Sequence, residues 1–282
     1  MMTQPGREEQ LRLVRALFPS LAGQIDAAAA PADAGAAFDS WLDRQAGALL
    51  AGAAFATLED PALAERFDSA FARARAAAAL LEVELPEPEA FAAAGADLGH
   101  LGGLLRGRED LVPVPAPYGL GSERWRAAFA RAAAAHPEVL TPEAGDSPLV
   151  LAADAERGFA ALDRIPETAG ALPVVGQRAG VGTVLRWTLR LVPGASAPST
   201  LGLGFAHGPH VSLPELLMLQ LMRIAAGEPP VDSGTFTWLA GPLADGKLAA
   251  RHVYDAGERV IRITCREIGN QGPHLGARVP AA

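Results

Sequence analysis

The segment from Thr235 to Ile268 constrains the fold more than any other part of the chain. It contains three runs of strand-forming residues, and Asp255-Ala256-Gly257-Glu258 supplies turn residues between the last two. Strands joined by short turns usually pair with each other, so the segment predicts a three-stranded antiparallel meander. Side chains alternate along a strand, and this alternation is expected to direct Phe236 and Trp238 towards the core.

A buried helix is predicted immediately before this meander, from Leu213 to Ala226. Ser212 and Glu215 form a capping box, in which the serine is the N-cap and the glutamate follows three residues later. The helix is apolar on every side, which is typical of a helix packed between two layers. We therefore expect one face of the sheet to pack on this helix.

The turn at 255–258 also predicts the register of the last two strands. In this register Arg251 lies opposite Arg262 on the polar face. Lys247 lies opposite Arg266 on the same face. Like charges in such positions destabilise an antiparallel pair by about 0.2–1 kcal/mol each, so an anion is expected nearby. A three-residue bulged turn would instead shift the register by one residue and separate the pairs.

An earlier strand, predicted from Thr183 to Val192, repeats the Arg-x-Thr-x-Arg pattern found at 262–266. If both strands belong to one five-stranded, mainly antiparallel sheet, its polar face carries six cations. We call this predicted surface the basic face, and its residues are Arg186, Arg190, Lys247, Arg251, Arg262 and Arg266. The basic face is expected either to dock an acidic partner or to be covered by acidic helices of the chain itself.

The remainder of the chain predicts an α+β protein, in which a helical N-terminal region packs with a C-terminal domain of mainly antiparallel sheet and a buried helix. Three prolines within Leu111–Gly121 predict a domain boundary. The predicted parts are an acidic, alanine-rich helical bundle region at 1–112, a mixed helical connector at 113–182, and the antiparallel sheet with its central helix at 183–282. Helices of the first part are expected at Glu8–Phe18 and at Ala36–Leu58. A third is expected from Pro61 to about Glu82, because Asp60 is a favourable N-cap and proline is favoured at the first helical position.

Charge is unevenly distributed along the chain. The 282 residues carry a formal net charge of −8, and residues 1–115 hold 9 arginines against 17 acidic residues. The remaining residues hold 15 cations and 15 anions. An acidic helical layer could therefore meet a basic sheet face. This balance argues against a nucleic-acid-binding protein, which needs a basic domain to neutralise phosphates, and favours a protein partner or a homo-oligomer.

The single cysteine, Cys265, excludes a disulfide within the chain and is consistent with a cytoplasmic protein. Residues Met1–Gln10 lack the pattern of a signal peptide. The longest apolar run, Ala46–Leu58, is too short to span a bilayer. We therefore expect no contact with a membrane.

Metal binding is the main alternative to a docking function. His207 and His210 form a His-x-x-His pair, and Asp232 or His252 could supply a third ligand for a metal-dependent hydrolase. The Gly-Pro between the two histidines also fits an ordinary turn with loop histidines.

Two further catalytic hypotheses have simpler structural explanations. Cys265 and His252 could form a nucleophile and base, but a buried cysteine usually behaves as a small apolar residue. Glu228 and Asp232 could act as an acid and base, although loop carboxylates are commonly solvated. The chain has no phosphate-binding loop, nucleophile elbow or kinase motif, and no cofactor is predicted. The sequence favours a non-enzymatic binding or assembly module.

Overall fold

The computed structural model describes residues 60–141, 147–178, 184–200, 207–268, 272 and 274–282. The predicted helices at Glu8–Phe18 and Ala36–Leu58 lie outside these residues. Within the described part, the α-helices are α1 (Pro61–Leu80), α2 (Pro88–Ala93), α3 (Leu98–Leu105), α4 (Ser122–Ala135), α5 (Ala153–Arg157), α6 (Phe159–Leu162) and α7 (Leu213–Ala225). The strands are β1 (Leu111–Tyr118), β2 (Leu149–Leu151), β3 (Val175–Arg178), β4 (Val184–Pro193), β5 (Ser199–Thr200), β6 (Phe236–Leu243), β7 (Leu248–Asp255), β8 (Val260–Glu267) and β9 (Leu275–Ala277).

The strands form two sheets, which we call sheet A and sheet B. Sheet A has the order β1-β4-β3 and is antiparallel, whereas sheet B has the order β2-β8-β7-β6-β9-β5 and is mixed. The α+β class is confirmed, and so is the meander, as β6-β7-β8. The expectation of one five-stranded sheet is wrong, because β4 pairs with β1 and β3 instead of joining the meander.

The register between β7 and β8 differs by two residues from the predicted one. Arg251 lies opposite Thr264, and Arg262 lies opposite Val253, so neither arginine faces another cation. The turn has four residues, because Asp255 Oδ1 accepts hydrogen bonds from the main-chain N–H groups at 257 and 258, and Arg259 adopts a positive φ of 53°. A shift of two residues leaves each side chain on its predicted face but changes its neighbour across the strands.

The proline-rich segment predicted as a boundary is the edge strand β1. It pairs with β4 along its whole length, from Leu111 opposite Pro193 to Tyr118 opposite Arg186. Its prolines lie at alternate positions, 113, 115 and 117. Proline has no N–H to donate, so it fits an edge strand where that position points away from the neighbouring strand. The division of the chain into three parts stays a prediction.

Helix α7 lies at the centre of the described residues. Its capping box is present, since Ser212 Oγ accepts from the Glu215 N–H and Glu215 Oε2 accepts from the Ser212 N–H. The helix packs against α1, α4 and β1, and Gln220 reaches His252 on β7. One main apolar core joins these helices to sheet A and to the inner face of sheet B. In the described part of the chain, no helix is both long and apolar enough to cross a membrane.

Candidate binding site

The structure divides the predicted basic face between two sheets. Arg190 belongs to sheet A and is buried, where its Nε and Nη2 donate to the two carboxylate oxygens of Glu215, each at 2.6 Å. Burial by itself lowers the pKa of Arg190, but the hydrogen bonds and charge of Glu215 outweigh it and the net shift is upward. Arg190 is therefore an internal partner of α7 and cannot dock a ligand.

Two other residues of the predicted set lie outside the strands of the meander. Arg186 is exposed on β4 and lines a cavity of about 800 Å³, together with Arg164 and the buried carboxylate of Asp163. That carboxylate accepts hydrogen bonds from the main-chain N–H groups of residues 119 and 121, so it stabilises the loop that leads into α4. Lys247 is exposed in the turn between β6 and β7.

The remaining three cations, Arg251, Arg262 and Arg266, share the face of sheet B that points away from α7. We call this surface the outer face. Its apolar members form a cluster separate from the main core. The outer face consists of Phe236, Trp238, Ala249, Arg251, Val253, Arg262, Thr264 and Arg266.

Phe236 and Trp238 therefore lie on the opposite face from the one predicted. Thr237 is fully buried and pairs with His252 on the inner side, whereas Trp238 pairs with Arg251 on the outer side. An alternation of threonine and aromatic residues is compatible with either orientation of the strand. Threonine is small enough to be buried on the inner face, and aromatic residues can lie on the outer face. The sequence contained the alternation but no signal for its direction.

Arg251 is the most unusual side chain of the outer face. It is partly buried, its guanidinium carbon lies 3.9 Å from the centroid of the Phe236 ring, and its Nε donates to Thr264 Oγ1 at 3.0 Å. No carboxylate among the described residues forms an ion pair with it. Burial lowers the pKa of Arg251, and the neighbouring charge of Arg266 lowers it further. The site thus holds a partly desolvated positive charge that is stabilised mainly by an aromatic ring.

Arg262 lies on the same face but has carboxylate partners from its own hairpin. Its Nε donates to Asp255 Oδ2 at 3.1 Å, and its Nη2 pairs with Glu258. The main-chain N–H of Glu258, together with Arg262, holds the pKa of Asp255 below its ordinary value. Arg266 is exposed, and in the described ranges no carboxylate forms an ion pair with it. The uncompensated charge of this face therefore lies at Arg251 and Arg266.

A groove of about 440 Å³ runs beside Arg251. Strand β8 contributes Arg262 and Thr264, whereas β6 and β7 contribute the apolar Phe236 and Val253 together with the charged Arg251 and Asp255. Its volume falls in the range of small ligand pockets, and it is large enough for one or two side chains of a partner. Residues that line it include Phe236, Arg251, Val253, Asp255, Arg262 and Thr264.

The residues of the alternative metal site each have other neighbours. Asp232 is fully buried and accepts hydrogen bonds from Arg278 Nη2 at 2.5 Å and from His252 Nδ1 at 3.0 Å. His207 Nε2 lies 3.1 Å from the carbonyl oxygen of Gly246, and His210 is buried. Nowhere in the described residues do three or more His, Cys, Asp or Glu side chains form a group that could hold a metal.

The structure also does not assemble the other two predicted catalytic pairs, Cys265 with His252 and Glu228 with Asp232. Burial raises the pKa of the Cys265 thiol to about 11, with a smaller contribution from Asp154, so the reactive thiolate is scarce at neutral pH. His252 lies between Asp232 and Gln220. Glu228 pairs with Arg73 and Arg223 near the end of α7, whereas Asp232 is buried.

No protein-family model, no curated protein and no solved structure matches this chain. The chemistry of the outer face is therefore the basis for a functional proposal.

Proposed function

We propose that this protein is a non-enzymatic binding or assembly module, which docks an acidic segment of a partner protein on the outer face of sheet B. Arg251 is the observation that carries the proposal. A partly buried cation without an anionic partner is unfavourable, and a carboxylate from another protein would compensate it. The groove beside it offers room for side chains of that partner.

The comparison with other buried arginines supports this proposal. Arg190 and Arg278 are both buried, and each pairs with a carboxylate, Glu215 and Asp232 respectively. Arg251 is stabilised by Phe236 and Thr264 instead. Within the described residues, the deeply buried cations are thus compensated by carboxylates of the chain itself, whereas Arg251 is not, and this difference supports a ligand at Arg251.

The small number of available cations favours an acidic protein over nucleic acid. On the outer face, Arg251 and Arg266 are the two cations that form no ion pair with a described carboxylate, and Arg262 is already neutralised. Nucleic-acid binding normally requires neutralisation of several phosphates along a backbone. Two cations beside an apolar groove fit one or two acidic side chains of a polypeptide.

A peptide-binding assay tests the proposal with the full chain. The probe is a fluorescent peptide of alternating glutamate and leucine, and its control contains glutamine in place of glutamate. We expect saturable binding of the acidic probe only. Replacing Arg251 by glutamine should weaken binding by about tenfold or more, because a hydrogen bond to a charged group contributes about 1.5–3 kcal/mol.

Arg106 supplies a matched control for general electrostatic attraction. It is exposed at the end of α3 and lies outside sheet B. The Arg106→Gln variant has the same change in net charge as Arg251→Gln and should bind the acidic probe with unchanged affinity. Equal binding by all three proteins, or no binding of the acidic probe to the unmodified chain, would refute docking at the outer face.

A further inference from the structure

The orientation of the Arg251 guanidinium limits how a ligand can approach it. Arginine has five N–H donors, one on Nε and four on the two terminal nitrogens. Thr264 Oγ1 accepts from Nε, and the guanidinium carbon lies 3.9 Å from the centroid of the Phe236 ring. No hydrogen bond joins Nη1 or Nη2 of Arg251 to another described residue. The edge formed by the two terminal nitrogens is therefore the part left for a ligand.

This arrangement also restrains the side chain before a ligand binds. The contact with the Phe236 ring and the hydrogen bond to Thr264 hold the guanidinium at two points. Two parallel N–H groups on a fixed plane match the two oxygens of a carboxylate. A preorganised donor loses less conformational entropy on binding than a free arginine does.

We infer that Arg251 binds one aspartate or glutamate carboxylate of the partner through both terminal nitrogens, while an apolar side chain next to that residue enters the groove against Phe236 and Val253. This inference rests on the proposed docking function and narrows the partner to a segment that places an acidic residue beside an apolar one. Arg266 is exposed and does not belong to the lining of the groove, so its contribution is long-range attraction.

Phosphorylated segments fit the site less well than acidic ones. Phosphate groups in proteins are commonly bound by clusters of arginines. Here Arg262 pairs with Asp255 and Glu258, so among the described residues Arg251 is the one arginine of the groove lining that forms no ion pair. The negative charge of Asp255, which also lines the groove, would oppose a doubly charged phosphate more strongly than a carboxylate.

Charge-preserving substitutions distinguish a specific contact with the two terminal nitrogens from general electrostatic attraction. The Arg251→Lys variant retains the positive charge but loses the paired donors, so its affinity for a glutamate-leucine peptide should fall by about tenfold. The matched variant Arg106→Lys, at an exposed position outside sheet B, should bind as the unmodified chain does. Thr264→Val preserves side-chain shape but removes the acceptor for Nε, and we expect it to weaken binding several-fold.

Peptide variants test the two halves of the recognised segment. Replacing leucine by serine in the probe should weaken binding about tenfold, because the groove loses its apolar occupant. Replacing glutamate by phosphoserine should also weaken it. Tighter binding of the phosphoserine peptide would overturn the assignment to a carboxylate.

The outcomes distinguish this inference from the broader proposal. If Arg251→Lys binds the acidic peptide as tightly as the unmodified chain, while Arg251→Gln does not, docking stands and the two-nitrogen contact is wrong. If no acidic peptide binds, both are wrong. Circular dichroism and thermal unfolding of each variant establish that the fold is retained. If Arg251→Lys is unfolded, the Thr264→Val result decides, and unchanged affinity in that variant would refute the inference.

Discussion

The buried pair of Arg190 and Glu215 offers a quantitative test of the interior. Both side chains are almost completely buried, with 3% and 0% of their surfaces exposed. Replacing Arg190 by methionine leaves the Glu215 carboxylate buried without its cation. We expect a loss of about 3–5 kcal/mol in the free energy of unfolding, which is the usual cost of removing one partner of a buried ion pair.

A second substitution should recover much of this loss. Glutamine at position 215 carries no charge but can still occupy the third position of the capping box that begins with Ser212. The Glu215→Gln change alone leaves Arg190 unpaired and should also cost about 3–5 kcal/mol. The double variant contains neither charge, so we expect it to be more stable than either single variant.

Urea unfolding followed by tryptophan fluorescence measures these effects, since Trp125 and Trp187 are fully buried. The slope of free energy against urea should stay constant among the variants if the unfolded states expose similar surface. Arg262→Met serves as a control, because its partly exposed pairs with Asp255 and Glu258 should contribute less than about 1 kcal/mol. Additive losses in the double variant, or a loss below about 1 kcal/mol for Arg190→Met, would refute the reasoning.

Two other buried groups give predictions of their own. Asp232→Asn should lower the free energy of unfolding at pH 7 by about 3–5 kcal/mol, because Arg278 then lacks its anion. Burial by itself raises the pKa of Asp232, but the bonds with His252 and Arg278 outweigh it and hold the pKa below its ordinary value. The stabilisation is present above about pH 4 and is lost as the pH falls further. The difference in the free energy of unfolding between the unmodified chain and Asp232→Asn, measured by urea titration, should therefore narrow below about pH 4. A constant difference, or the same narrowing for the exposed control Asp245→Asn, would contradict this. Cys265, with its pKa raised to about 11, should react with iodoacetamide at pH 8 roughly 100-fold more slowly in the folded chain than in urea, and mass spectrometry showing equal rates would contradict the burial argument.

Local signals were sufficient to predict several elements closely. The capping box placed the start of α7 at Leu213, and an N-cap aspartate followed by proline placed the start of α1 at Pro61. In both cases the deciding contacts join residues two or three positions apart, so the sequence contains the whole signal. The strands of the meander were recognisable for the same reason.

Long-range partners were not recognisable in the same way. The observed register of β7 and β8 differs by two residues from the predicted one. It depends on the positive φ of Arg259 and on the hydrogen bonds that Asp255 accepts within the turn. The membership of β4 in sheet A depended on a proline-rich edge strand that the sequence suggested was a boundary. Arg190 was therefore predicted on a surface but lies in the core, where Glu215 accepts its hydrogen bonds.

The sequence by itself determined where α1 and α7 begin, where the strands of the meander lie, and which side chains of β7 and β8 share a face. These properties follow from the period of each element and from contacts between near neighbours. Tertiary structure decided which arginines have a carboxylate partner, because that depends on residues that are distant in the chain. Glu215 neutralises Arg190, whereas Arg251 contacts the ring of Phe236. The candidate site is consequently a property of the packed sheet, where burial and the choice of partner determine whether an arginine remains available to a ligand.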